Sequence, residues 1–192
     1  MAEPAAPLPD LDLAFEADDS LPAELLTAAG AMADPLAGAE LWHGFISTWL
    51  AQLASDLPES LQAPAYSLGL SLVGDTEIAA LNQDWRDKTG PTDVLAFAAQ
   101  DDGLDDAPPM PSWANDERDE DALEPLELGD IVISLETAAR QAPDHGYSLR
   151  EEVLFLATHG LLHLVGWDHP DDSSLAAMLA RQEQLLATGQ QR

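Results

Sequence analysis

Three of the chain's five histidines, His159, His163 and His169, fall within eleven residues. Helical periodicity over Leu149 to Leu164 places His159 and His163 one turn apart on the same face. Gly166 follows as a break, because glycine accepts the left-handed backbone on which many helices end. The chain can turn there and carry His169 toward the pair. Three neutral imidazoles converging in this way fill three corners of a tetrahedron and leave the fourth to water, the plan of a catalytic zinc site. The plainer reading is a helix with two incidental histidines and a third in a loop. Against it, the remaining 181 residues contain only His43 and His145, and the spacing is that of metal ligands.

The chain has no cysteine, so any metal must be held by nitrogen or oxygen. The pattern H-x3-H-x5-H, with a glycine before the third histidine, invites comparison with the metzincin proteases and their H-E-x-x-H-x-x-G-x-x-H. Gly160 stands where those enzymes carry the glutamate that activates water for peptide cleavage. The cage is kept and the proteolytic base is absent. A zinc ion held by three imidazoles manages without that base, because it lowers the pKa of its water from 15.7 to about 7. Asp168, beside His169, suits two roles equally: orienting a ligand histidine or relaying a proton, or capping the loop with its carboxylate. Arg86 is the other candidate, in a chain with one lysine and six arginines. A guanidinium fork matches phosphate and steadies charge developing on phosphoryl oxygens. Its spacing alone favours a surface pair with Asp87 or Asp93.

The elements that must position these residues are legible as alternations and stripes. Leu11, Leu13 and Phe15 alternate with polar or small neighbours, and so do Tyr66, Leu68, Leu70 and Leu72, which predicts two strands. Val94–Phe97, after the Gly90-Pro91 turn signal, and the dense β-branched run Ile131–Ile133 predict two more. A stripe of Leu41, Phe45, Ile46, Trp49, Leu50, Leu53 and Leu57 predicts a helix over Leu41–Leu57. Asp75 is the expected N-cap of a helix from Glu77 to about Arg86, and a further helix over Leu135–Ala142 is expected to stop at Pro143. Ser148 opens the histidine helix as N-cap, with Glu151 completing a capping box. A last helix runs from Asp171 or Asp172 to about Leu186.

The length suits one domain over residues 10–192, after a Pro- and Ala-rich stretch, 1–9, expected to be disordered. The formal charge of −29 is unevenly placed. Residues 1–40 hold nine acids and no Lys or Arg, and residues 101–127 hold eleven acids and only Arg118. Segments 18–39 and 101–127 therefore read as peripheral acidic insertions. The first is interrupted by Pro22 and Pro35, with a helical turn around Ala23–Ala29, and the second is a mobile loop between two strands. No apolar run approaches a membrane span, so a cytoplasmic location is expected. So acidic a chain is a poor match for nucleic acid, where a basic footprint is usual.

The run His159-Gly160-Leu161-Leu162-His163-Leu164-Val165-Gly166-Trp167-Asp168-His169 resembles the signature of the YbeY family of zinc-dependent endoribonucleases. Leu81 through Arg86, Pro91 through Phe97, Leu128 through Ser134 and His145 through Glu151 resemble that family too, in the same order. The resemblance covers Leu11–Glu16 and Leu41–Leu186 apart from the acidic loop. It implies an α+β fold, a small sheet of about four strands flanked by helices, with a three-histidine zinc site at the end of a helix in a cleft. It implies one Zn²⁺ on His159, His163 and His169, and Arg86 as the arginine linked to RNA cleavage. It further implies single-stranded rRNA precursor as substrate, processing of the 3′ end of small-subunit (16S) rRNA, ribosome quality control, and contact with the small subunit and its proteins. Trp167 stands where tyrosine is more usual, and Ala96 and Ala98 replace the serine and proline that often flank this phenylalanine. Two rival readings stand beside it: a ribosome-assembly factor with a mainly structural zinc, which the acidic balance suits, and a metal-dependent hydrolase of a small substrate.

Overall fold

The computed structural model describes residues 7–99 and 124–189. Four strands form one sheet: β1 (Asp10–Ala17), β2 (Ala65–Val73), β3 (Val94–Ala98) and β4 (Leu126–Ser134), in the order β1-β2-β4-β3. The first three in that order run parallel, and β3 lies antiparallel on the outer edge of β4, with Ala96 opposite Ile131. Parallel neighbours need a crossover, and helices supply it. They are α1 (Ala23–Ala29), α2 (Pro35–Leu53), α3 (Asp75–Arg86), α4 (Leu135–His145), α5 (Leu149–Leu164) and α6 (Asp172–Gly189). The α+β class, the four strands and the flanking helices agree with the sequence reading.

The sheet's inner face carries Leu68, Leu70, Leu72, Ile131 and Ile133, all buried, against Trp42, Ile46, Trp49 and Leu50 of α2 and Leu156, Ala157 and Leu161 of α5. A smaller cluster of Val73, Ile78, Leu95 and Val132 holds α3 to the sheet. The helix α5 is therefore a core element, and its fit to β4 depends on Gly160. A Cβ at that position would meet the Ile131 side chain at 2.8 Å, so only glycine lets the two elements approach this closely. The same contact explains why the position following the first histidine cannot hold a protease's glutamate here.

Several boundaries differ from the sequence reading, each for a local reason. Pro35 starts α2 instead of interrupting the segment. Asp34 is the N-cap, its carboxylate accepting from the Leu36 and Ala37 amides at 3.0 and 2.8 Å, and proline at the first helical position loses no hydrogen bond. The stretch 18–39 keeps its acids at the surface but sends Leu21, Ala29, Met32 and Ala33 into the core. Asp75 is the first residue of α3, after the cap Gly74. Its carboxylate accepts from the Ser134 and Thr137 hydroxyls at 2.7 and 2.6 Å and pairs with Arg140 at 2.8 Å. Pro143 sits inside α4, which continues to His145 and ends on left-handed Gly146. The acidic stretch 101–127 overlaps β4, since Leu126 and Glu127 pair with Tyr66 and Ser67. The expectations for residues 1–6 and for 101–123 of that stretch lie outside the described residues.

Candidate metal centre

The α5 helix starts as its sequence predicts. The Ser148 hydroxyl accepts from the Glu151 amide while the Glu151 carboxylate accepts from the Ser148 amide, a complete capping box. Toward its other end the helix presents His159 and His163, and Gly166, at φ 96°, turns the chain. The Val165, Gly166 and Trp167 amides donate to the Leu161, His163 and Leu162 carbonyls, which closes the helix end. That turn returns His169 to the other two. The three ring centroids stand 4.6, 5.5 and 5.2 Å apart, and one nitrogen from each ring lies within 4.8 Å of the others.

The donor set fits a divalent cation. Two nitrogens bound to zinc at 2.0–2.1 Å with a tetrahedral angle between them stand roughly 3.3 Å apart. The Nε2 atoms of His159 and His163 are 3.0 Å apart. Burial holds the His159 imidazole below the usual histidine range, against the pull of its Gln182 hydrogen bond. Burial, and then the neighbouring His159 and His169, lower His163 as well. Metal ligation needs the neutral ring, and the site favours it.

These rings open onto a cleft of about 410 Å³ lined also by Arg86, Thr92, Asp93, Val94, Ala96 and Asp168. The edge strand β3 forms one wall and the end of α3 brings Arg86 to it. The Arg86 guanidinium donates to the Ala96 carbonyl at 3.4 Å, and among the described residues it forms no ion pair with Asp87 or Asp93. The surface-pair reading of Arg86 thus gives way to a cleft position. Ala96, one of the departures from the family pattern, is part of the cleft wall. The Asp168 carboxylate accepts from the His169 amide at 2.8 Å and so fixes the turn that carries the third ring. Trp167 packs against the main core.

Two polar residues that the sequence reading passed over complete the surroundings. Gln182 of α6, fully buried, meets His159 Nδ1 at 3.2 Å. A polar residue on the stripe shared by Met178 and Leu185 was the available signal. The other is Glu152, fully buried on α5, whose carboxylate pairs with His145 Nδ1 at 2.8 Å.

An α+β domain that gathers three imidazoles at the end of a core helix, beside an arginine-bearing cleft, is built as a metal-dependent hydrolase. A family profile described as Endoribonuclease YbeY matches residues 39–190. The endoribonuclease YbeY of Synechococcus sp. (strain RCC307) is 54% identical over 153 residues, covering 80% of this chain and 86% of that protein. The endoribonuclease YbeY of Trichormus variabilis (strain ATCC 29413 / PCC 7937) is 48% identical over 145 residues, covering 76% and 74%. The solution structure of TM1509 from Thermotoga maritima aligns at a TM-score of 0.49 and 20% identity, over 93% of this chain and 89% of that one. The chain belongs to the endoribonuclease YbeY family, and is a hydrolase of that family. Among the described residues no helix is long and apolar enough to cross a membrane.

Proposed function

We propose that this protein is a zinc-dependent, single-strand-specific endoribonuclease that matures the 3′ end of small-subunit (16S) rRNA in the cytoplasm and serves ribosome quality control. The supporting observation is the placing of Arg86 in one cleft with three convergent imidazoles. His159, His163 and His169 hold the ion, and Asp168 fixes the turn that delivers the third of them. The ion supplies Lewis acidity toward the phosphodiester and acidifies water at neutral pH. Arg86 offers donors to the phosphoryl oxygens as their charge grows, the kind of contact whose loss costs about 10²–10³-fold in rate.

The test is elemental analysis together with cleavage of an rRNA precursor. His163→Ala should lose both metal and cleavage. Arg86→Ala should keep the metal and the fold but lose cleavage by the factor given above. Full cleavage by the metal-free protein would end the proposal. The second reading, an assembly factor with a mainly structural zinc, draws on the net charge of −29, which complements basic ribosomal proteins better than RNA. It requires that Arg86→Ala keep its ribosomal partners and nearly all of its function.

A further inference from the structure

We propose that Gln182 is the positioning residue of the histidine cage, holding His159 with its hydrogen on Nδ1 so that the Nε2 lone pair faces the ion. This rests on the reading of the three histidines as ligands. Gln182 has no exposed surface, and an amide buried so completely is costly unless its donors and acceptor are used. Its Nε2 donates to the Phe155 carbonyl at 3.1 Å and to the Thr158 hydroxyl oxygen at 3.3 Å. The Thr158 hydroxyl itself donates to the Phe155 carbonyl at 2.8 Å, which leaves its oxygen free to accept.

A backbone carbonyl only accepts, so the amino end of the Gln182 amide is fixed on Phe155. Turned over, the amide would set oxygen against oxygen. The end facing His159 is therefore Oε1, 3.2 Å from Nδ1. An amide oxygen also only accepts, so Nδ1 carries the hydrogen and Nε2 is left unprotonated. That atom is the one 3.0 Å from His163 Nε2, inside the cage. The hydrogen-bond chain thus runs in one sense, from the ligand ring through Gln182 to the backbone of the helix that carries the ring. Outer partners of this kind set ring orientation and basicity, and losing one typically costs 10–100-fold in metal affinity.

The experiment uses the full chain with zinc, in competition with a chromophoric chelator, for the wild type, Gln182→Leu and Gln182→Glu. The leucine variant should bind zinc about 10–100-fold more weakly. The glutamate variant keeps an acceptor opposite Nδ1 but turns its other oxygen toward the Phe155 carbonyl, so it should recover part of that loss. A role in packing alone predicts unchanged zinc affinity in the leucine variant, or equal losses in both, and either result overturns the proposal. Long-range ¹H–¹⁵N spectra of the wild-type, metal-free protein at pH 8 read the tautomer without any substitution. Hydrogen on His159 Nε2 would also overturn it. A wild type that binds no zinc would instead sink the reading of the histidines as ligands, so the two failures are distinguishable.

Discussion

Among the described residues lining the cleft, Arg86 is the one Lys or Arg, and a phosphate contact there should be visible in salt. Each phosphate neutralised on a single strand contributes about 0.7 to the slope of log affinity against log salt. Arg86→Ala should therefore flatten that slope by about 0.7, measured by RNA-binding titrations over a range of salt. A slope that does not move would place no phosphate at Arg86. His145 acts on stability instead. The Glu152 hydrogen bond, and then its charge, raise the His145 imidazole above the ordinary histidine range, with smaller help from Asp144 and Asp93 and some opposition from burial. Glu152 is fully buried and its second oxygen has no partner among the described residues, so His145→Ala would leave that side chain unpaired in the core. A cost on the order of 1–3 kcal/mol is expected in denaturant titrations. Because the folded value is raised, the charged pair contributes fully below the unfolded histidine value near 6.5, and fades as pH rises through the folded value. The gap between wild type and variant should thus be wider at pH 6 than at pH 9.

At the level of elements, the decisive contact is that of α5 with β4. Gly160→Ala gains about 1 kcal/mol of helix propensity. It also places a methyl 2.8 Å from the β-branched Ile131, which has little freedom to move. Overpacking of that kind costs about 1–3 kcal/mol, so a net destabilisation is expected in denaturant melts. The penalty should shrink in an Ile131→Ala background, and equal penalties in both backgrounds would locate the strain elsewhere. The sequence displayed much of this arrangement. Ser148, Glu151 and Gly166 announce the start and end of α5 because capping is local chemistry written in a few residues. The alternation in β1 and β2 is visible because their faces differ in burial. Asp75 misled because its carboxylate serves Ser134 and Thr137, 59 and 62 residues away. Gln182 and Glu152 were passed over for the same reason: their partners are set by packing between elements. No spacing rule reports it.

For the whole molecule, the uneven charge allows a deletion to test where folding information ends. Removing 101–123 takes away nine acids and Arg118 and leaves Ala99, Gln100, Glu124 and Pro125 between β3 and β4. Each halving of a connection saves only about 0.6 kcal/mol of closure entropy, and a cut from 27 residues to four is nearly three halvings, so the thermal midpoint should hold or rise by a few degrees. Extending the deletion through Glu127 also removes the pairs of Leu126 and Glu127 with β2 and should lower the midpoint measurably. Two of the three histidines ride on a helix anchored by Val153, Leu156, Ala157 and Leu161, residues buried without reference to any ion. The core that carries the cage is built of packed side chains, unlike small domains that gain their fold from metal. Chelation should then subtract only the linkage contribution, about 2.7 kcal/mol if the free ion stands at 100 times its dissociation constant. Loss of the ion would then idle a copy without unfolding it, and resupply of the ion alone should restore it.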